Sequence, residues 1–344
     1  VEPSSYTIEV QKLRKRYGKL DAVDGISFRV DKGQIVGFLG PNGAGKSTTM
    51  RILAGYTRAS SGVARICGLS VAAQPREIKR RIGYMAENNP LPEELRVSEY
   101  LSWRAAIKEI PRAKRRQRIG SALEQCDLGR ASRRIIGKLS KGYRQRVGIA
   151  DAILAAPEVI IMDEPTIGLD PHQVVMIRDL IARLRGEMTV VISSHILPEI
   201  EMTCDRIVII NGGKIVGEGT PQELRDTFID ATRYRVEICG ELNALRQALA
   251  PVDSSLEVRQ CGPIDGDGYW EAEIRLQGRR DCGERLFQTL ARQPELRPRS
   301  LQRRQASLEE VFLAATRRSW ETVDPDLAAK AEPRAPAAPS PNPR

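Results

Sequence analysis

The chain has 344 residues, 41% of them hydrophobic and 28% charged, with a formal net charge of +10. This is globular composition, and the length suggests two domains that each bury a core. Aromatic residues make up only 5%, which argues against a nucleic-acid platform of stacked rings, although the charge permits a phosphate polymer or an anionic membrane face.

The six cysteines form no C-x-x-C pair, so neither a zinc site nor a disulfide framework is indicated. A reducing, cytoplasmic compartment fits that usage. No stretch approaches the roughly 18 consecutive apolar residues of a membrane span, and the opening VEPSSYTIEVQKLRKRYGK lacks the apolar core of a signal peptide. A role at a membrane would therefore be played from its surface.

In chain order, Tyr6 to Val10 and Gly25 to Val30 alternate as strands do. Gln34 to Leu39 is a short apolar run ending in a glycine-rich turn, and a helix is expected from Lys46 to about Ala54. Residues from about 90 to 137 carry many charges and helical spacing (Val97, Tyr100, Leu101, Arg104), and read as a helical insertion. Within it the run Arg112 to Arg118, RAKRRQR, reads as a solvated helix face, with contact to acidic lipid or a partner as the sharper alternative. The runs 158–162, 188–193 and 206–210 are continuously apolar, as strands of a buried parallel sheet are. Helical segments separate them, so the core is α/β.

After Pro221 the composition shifts. Tyr234–Ile238, Leu256–Gln260 and Tyr269–Leu276 read as strands, and Leu242–Leu249 and Cys282–Ala291 as helices. The order β-α-β-β-α suggests a small α+β domain of ferredoxin-like type. Ser307-Leu-Glu-Glu310 reads as a capping box opening a last helix. The end is rich in Pro and Ala and is expected to be disordered. The expected domains are 1–228, with a helical subdomain at about 90–157, then 229–318, then a tail of 319–344.

The run Gly40-Pro41-Asn42-Gly43-Ala44-Gly45-Lys46-Ser47, followed by Thr48, fits the phosphate-loop pattern G-x-x-x-x-G-K-[ST]. Its glycines let backbone N–H groups turn inward around phosphate oxygens. Lys46 would reach the β- and γ-phosphates of a nucleotide, and the Ser47 hydroxyl would ligate Mg²⁺. The following helix presents its positive end to the same phosphates. The strand Val159 to Met162 runs into Asp163-Glu164, which places two carboxylates at the rim of a parallel sheet. Asp163 would hold Mg²⁺ and Glu164 would polarise an attacking water. His195 follows another strand of the same sheet. A lone histidine is usually structural, but from that position it could reach a γ-phosphate. His172, in a polar loop, reads as a surface residue.

Over roughly residues 6–225 the chain resembles an ABC transporter nucleotide-binding subunit. The decisive stretch is Leu139-Ser-Lys-Gly-Tyr143-Arg-Gln-Arg146, which resembles the signature motif in the form common among exporter ATPases. The resemblance implies a P-loop NTPase of the ABC cassette fold, an α/β architecture with a mixed-sheet core and a helical subdomain, binding ATP and Mg²⁺ and hydrolysing ATP. It further implies that Tyr17 stacks on adenine and that Ser140 and Gly142 contact ATP held by a second copy of the chain. The Gly168-Leu169-Asp170 loop would couple the two sites, and His195 would be the switch histidine.

The chain departs from the usual pattern in three places. Glu87 stands where the family places a glutamine; it can still ligate Mg²⁺ or water, but it adds negative charge. Lys141 and Tyr143 replace glycine and glutamine in the signature, as in the exporter branch. Ile167-Gly168 replaces small residues in the coupling loop. The closing SLEEVFLAAT resembles endings of ATPases paired with ABC-2 membrane subunits.

The expectation is thus an ATPase working as a homodimer with a separate polytopic permease, peripheral on the cytoplasmic face of the membrane, with no nucleic acid bound. A soluble ABC ATPase acting on ribosomes or nucleic acid is the alternative. Relatives of that kind usually carry two cassettes or a long coiled coil between the motifs, and neither pattern is present here. A P-loop kinase or GTPase would lack the signature. A catalytically dead cassette would have lost some of Lys46, Asp163, Glu164 and His195.

Overall fold

The structure, a computed structural model, describes residues 6–264, 268–278 and 281–323. The first half contains β1 (Tyr6–Tyr17), β2 (Leu20–Asp31), β3 (Ile35–Leu39), α1 (Lys46–Leu53), β4 (Ser61–Ile66), β5 (Leu69–Ser70), α2 (Pro75–Arg81) and β6 (Ile82–Met85). Three helices follow, α3 (Val97–Ile107), α4 (Arg112–Gln125) and α5 (Lys141–Ile153). Then come β7 (Val159–Asp163), α6 (Pro171–Arg183), β8 (Thr189–Ser194), α7 (Leu197–Thr203), β9 (Arg206–Asn211), β10 (Lys214–Gly219) and α8 (Pro221–Phe228). The last elements are β11 (Ala231–Cys239), α9 (Leu242–Leu249), β12 (Glu257–Pro263), β13 (Tyr269–Gln277), α10 (Gly283–Ala291), β14 (Ser300–Arg304) and α11 (Leu308–Val323).

Two compact units result, one of residues up to Pro221 together with those from Ala315, the other Gln222–Ala314. The second therefore begins inside α8, ahead of the boundary expected at 228. Arg225 Nε of α8 donates to the Ala306 carbonyl at 2.8 Å, which ties that helix to the second unit.

In the first unit a mixed sheet runs β10-β9-β3-β8-β7-β6 and an antiparallel sheet runs β2-β1-β4-β5. The strands β9, β3, β8, β7 and β6 are mutually parallel, and β10 is antiparallel at the edge. Every residue of β3, β7 and β8 is buried, because helices and the second sheet cover both faces. One core joins the two sheets, with Ile8, Val10 and Phe28 meeting Phe38, Ile161 and Val191. Gly37 of β3 has no side chain because α7 lies on it: an added Cβ would stand 2.7 Å from Ile200 Cγ2.

The helical insertion is present as α3 and α4, followed by α5. Glu99 starts α3 by accepting from the Arg96 N–H at 2.8 Å, the reciprocal half of a capping box. Arg104 of α3 binds Asp151 of α5 at 2.9 Å and holds the two helices together.

The second unit is β-α-β-β-α-β with antiparallel order β12-β13-β11-β14, the strand order of a split βαβ. Tyr234, Val236 and Ile238 of β11 and Trp270, Ala272 and Ile274 of β13 point to one face and pack on Leu245 and Leu249 of α9 and Leu286 and Leu290 of α10. The strand β14 was not expected from its sequence, SLQRR. It is a short edge strand whose residues are exposed or half-buried, so no burial pattern marks it. The capping box at α11 is formed: Ser307 N–H donates to Glu310 Oε2 at 3.0 Å and Glu310 N–H to Ser307 Oγ at 3.3 Å. That helix continues to Val323, past the tail boundary expected at 318; the remainder of the expected tail lies outside the described residues. Among the described residues no helix is long and apolar enough to cross a membrane.

Candidate functional site

The chain leaves β3 at Leu39, turns through residues 40–45 and enters α1 at Lys46. Two residues of the turn, Gly43 (φ 80°) and Gly45 (φ 107°), lie in the left-handed region, which glycine adopts without strain. A Cβ at Gly45 would also strike the Ala22 carbonyl. Lys46 Nζ donates to the Gly40 carbonyl at 2.8 Å and the Pro41 carbonyl at 3.3 Å, and lies 3.6 Å from Glu164 Oε1.

Parallel pairing of β7 with β8 sets Asp163 opposite Ser193. Ser193 is fully buried, and its hydroxyl is used twice. It donates to Asp163 Oδ1 at 2.5 Å and accepts from the Glu164 N–H at 3.0 Å. Ser47 Oγ donates to the same Asp163 oxygen at 3.1 Å. Glu164 itself has φ 50°, a left-handed conformation that a non-glycine residue keeps only when its surroundings hold it there. Its Oε2 lies 2.8 Å from His195 Nδ1. Two residues on, Thr166 donates to Glu199 of α7 at 2.5 Å. Burial raises the Glu199 carboxyl above its ordinary value, the Thr166 hydrogen bond opposes the rise, and the nearby Glu164 charge adds to it.

These groups border a cleft of about 580 Å³, a size suited to a small organic ligand. Of the residues expected at a nucleotide site, Tyr17, Pro41, Asn42, Gly43, Gly45, Lys46, Ser47, Thr48, Glu87, Glu164 and His195 line it. Gly40, Ala44 and Asp163 stand behind. Ala44 and Asp163 are buried, and a Cβ on Gly40 would collide with the Ile210 carbonyl. The Tyr17 ring is 46% exposed, open enough to receive a flat partner, with Lys15 Nζ 4.8 Å from its centroid. Glu87 is half-buried just beyond β6.

Ser140, Gly142 and Asp170 are not brought to this cleft. Ser140 caps α5 by accepting from the Tyr143 N–H at 3.4 Å, and Asp170 caps α6 by accepting from the Gln173 N–H at 2.9 Å. The two capped ends lie side by side, for a Cβ on Gly142 would stand 2.8 Å from Gln173 Oε1. Ser140 and Asp170 are exposed. They form a second polar face, with the positive ends of two helices.

Leu20, Ala22 and Ile167 also line the cleft and were not anticipated. Leu20 is 67% exposed at a hairpin, which marks it only once the structure is known. Ser193 carries no signal either, because a serine inside an apolar strand is unremarkable until the register is known. His172 is exposed, as its loop suggested.

Ser47 and Asp163 present hard oxygen donors at one point, chemistry that suits Mg²⁺. Among the described residues no group of three or more His, Cys, Asp or Glu could hold a metal alone, so any such ion would complete its shell with phosphate and water.

Residues 23–167 match the family described as ABC transporter. The chain is 34% identical over 312 residues to the daunorubicin/doxorubicin resistance ATP-binding protein DrrA of Streptomyces peucetius, covering 90% of this chain and 92% of that protein. It is 36% identical over 256 residues to the Nod factor export ATP-binding protein I of Ralstonia nicotianae, covering 74% of this chain and 79% of that protein. A solved ATP-binding cassette, dimeric in a post-hydrolysis state with ADP and Pi bound, superposes with a TM-score of 0.57 at 25% identity, over 62% of this chain and 98% of that chain.

Proposed function

The chain belongs to the ABC transporter family as an ATP-binding, ATP-hydrolysing subunit, and from that premise we propose that two copies clamp ATP between them to drive export through a separate membrane protein. The observation that carries the two-copy reading is the division of the site. The lysine, carboxylates and histidine border one cleft, whereas Ser140, Gly142 and Asp170 face elsewhere on the same unit. One copy thus holds two different halves, and a second copy is needed to complete either.

In this reading Tyr17 stacks on adenine and Lys46 exchanges its contacts with Gly40, Pro41 and Glu164 for phosphate oxygens. Ser47 and Asp163 hold Mg²⁺, with Glu87 as a further ligand directly or through water. The ion neutralises charge on the β- and γ-phosphates. Glu164 accepts the proton of the attacking water, and His195, hydrogen-bonded to it, keeps its carboxylate aimed at the γ-phosphate. Ser140 and Gly142 of the second copy close the phosphate from the other side, and the loop before Asp170 links the two sites.

Export is supported by relatives named for export and for drug resistance. A soluble ATPase acting on ribosomes or nucleic acid is not favoured. The subunit would work at the cytoplasmic face of the membrane. Glu164→Gln with ATP and Mg²⁺ tests the clamp by light scattering: a stable dimer with turnover lost is the expected result, and a monomer at saturating ATP overturns the two-copy site. Stoichiometric co-purification of a polytopic membrane protein tests the transporter partner.

A further inference from the structure

We propose that the outer face of α4 is a docking surface for the anionic phosphate headgroups of a membrane. The proposal rests on the transporter reading for the presence of a membrane, and on the following features for the contact itself.

Five of the seven residues from Arg112 to Arg118 are cationic: Arg112, Lys114, Arg115, Arg116 and Arg118. The helix has no acidic residue in its first turn, and its first carboxylate, Glu124, comes almost at its end. Only Arg115 has a structural task, donating to the Ile110 carbonyl at 2.8 Å. The other four are exposed, and among the described residues none of them forms an ion pair or a side-chain hydrogen bond. Some other surface arginines of the same unit are paired, as Arg16 is with Asp21, Arg81 with Glu158 and Arg183 with Asp127, whereas on α4 four cations within one short run are not.

This arrangement works against the helix that carries it. Cations at a helix N-terminus oppose the backbone dipole. Arg112 with Arg116, and Lys114 with Arg118, are like charges four residues apart, which repel on a helix surface. Local stability does not explain such a choice, whereas an external anion would offset both penalties.

The geometry suits a plane rather than a groove. The buried side of α4 is marked by Ala122. At 100° per residue the opposite side carries Ala113, Gln117, Gly120 and, almost at the helix end, Glu124, with Ser121 at its edge, all of them exposed. Arg116 and, further round, Arg112 flank that stripe on one side and Lys114 on the other, with Arg118 beyond Lys114 toward the Ala122 side. Over its first two turns this small stripe has long cationic side chains on both flanks that can reach a layer of phosphates, while Glu124 lies beyond them toward the C-terminal end. The stripe has no large apolar residue to insert, so the contact is electrostatic, reversible and sensitive to salt. No aromatic residue lies on α4, so the stacking that anchors single-stranded nucleic acid is missing.

The test is co-sedimentation of the full chain with vesicles of phosphatidylcholine alone or mixed with phosphatidylglycerol, with ATPase activity and thermal midpoint measured alongside. The wild type should bind only the mixed vesicles and release them as salt rises from about 0.1 M to about 1 M. Neutralising all four residues (R112Q, K114Q, R116Q, R118Q) should weaken that binding by about two to three orders of magnitude, with ATPase activity unchanged and the midpoint equal or slightly higher. A control variant, with Lys19, Arg76, Arg285 and Arg292 changed to Gln, removes the same charge elsewhere and should bind as the wild type does. Equal binding by wild type and the α4 variant overturns the proposal, as does equal loss in the control. Binding of RNA or DNA through α4 without vesicle binding overturns it in favour of nucleic acid. Loss of ATPase activity in wild type would instead strike the function proposed above.

Discussion

His195 Nδ1 lies 2.8 Å from Glu164 Oε2, while the other oxygen of that carboxylate lies 3.6 Å from Lys46 Nζ. One carboxylate is therefore held between the loop after β8 and the phosphate loop. Glu164 is 7% exposed and His195 44%, so the histidine can approach a ligand while the carboxylate stays inside. His195→Ala should lower kcat by about 10²-fold or more with the KM for ATP little changed. Steady-state ATPase kinetics check this, and a variant with wild-type kcat would remove His195 from the reaction.

Ser193 should matter as a positioning residue. Its hydroxyl joins the Asp163 carboxylate to the Glu164 backbone, and removing it takes one buried hydrogen bond from each at a net cost of about 1 kcal/mol per bond. Ser193→Val should lose turnover while retaining ATP binding. Ser193→Thr, nearly the same shape with the hydroxyl kept, should recover most of it. Comparing kcat and KM for the pair separates the hydrogen bonds from packing, since a purely steric effect would impair both alike.

The Glu199 carboxyl is raised above its ordinary value of 4.5, first by burial. The folded chain therefore holds this proton more tightly than the unfolded chain. Stability from this group is complete below pH 4.5 and is lost as pH rises through the folded value. Glu199→Gln keeps a partner for Thr166 without the charge. Its stability relative to wild type should rise with pH above that point. Urea melts across the acidic range check this, and a constant difference would show that Glu199 ionises normally.

Asp151 binds Arg104 at 2.9 Å and lies 3.6 Å from Lys108, joining α3 to the signature helix α5. Asp151→Ala leaves two partly buried cations without their carboxylate and should cost about 3 kcal/mol. Chemical denaturation measures the loss, and a change within about 0.5 kcal/mol would mean that packing alone holds these helices.

The nucleotide site was legible wherever its chemistry is contiguous. The run from Gly40 to Ser47 and the strand ending in Asp163-Glu164 are local structures, a tight glycine-rich turn and a strand-end carboxylate, and the structure places both where the sequence put them. The apolar runs of β7, β8 and β9 were equally legible, since burial on both faces leaves no polar alternation. The edge strand β14 was not, because an edge strand needs no apolar pattern. The capping box at Ser307 was readable at three residues' separation, because the two hydrogen bonds that form it join residues within one turn.

The sequence by itself determined the contiguous residue types, the glycine-rich turn with Lys46 and Ser47 and the Asp163-Glu164 pair, because such local demands are met within a few positions. Only the tertiary structure decided which of them share a cleft. Parallel register set Ser193 against Asp163 and His195 beside Glu164, though they are some thirty residues apart. Helix capping turned Ser140 and Asp170 onto a separate face. Contacts between distant segments depend on strand order and register, which many sequences share and no short motif encodes.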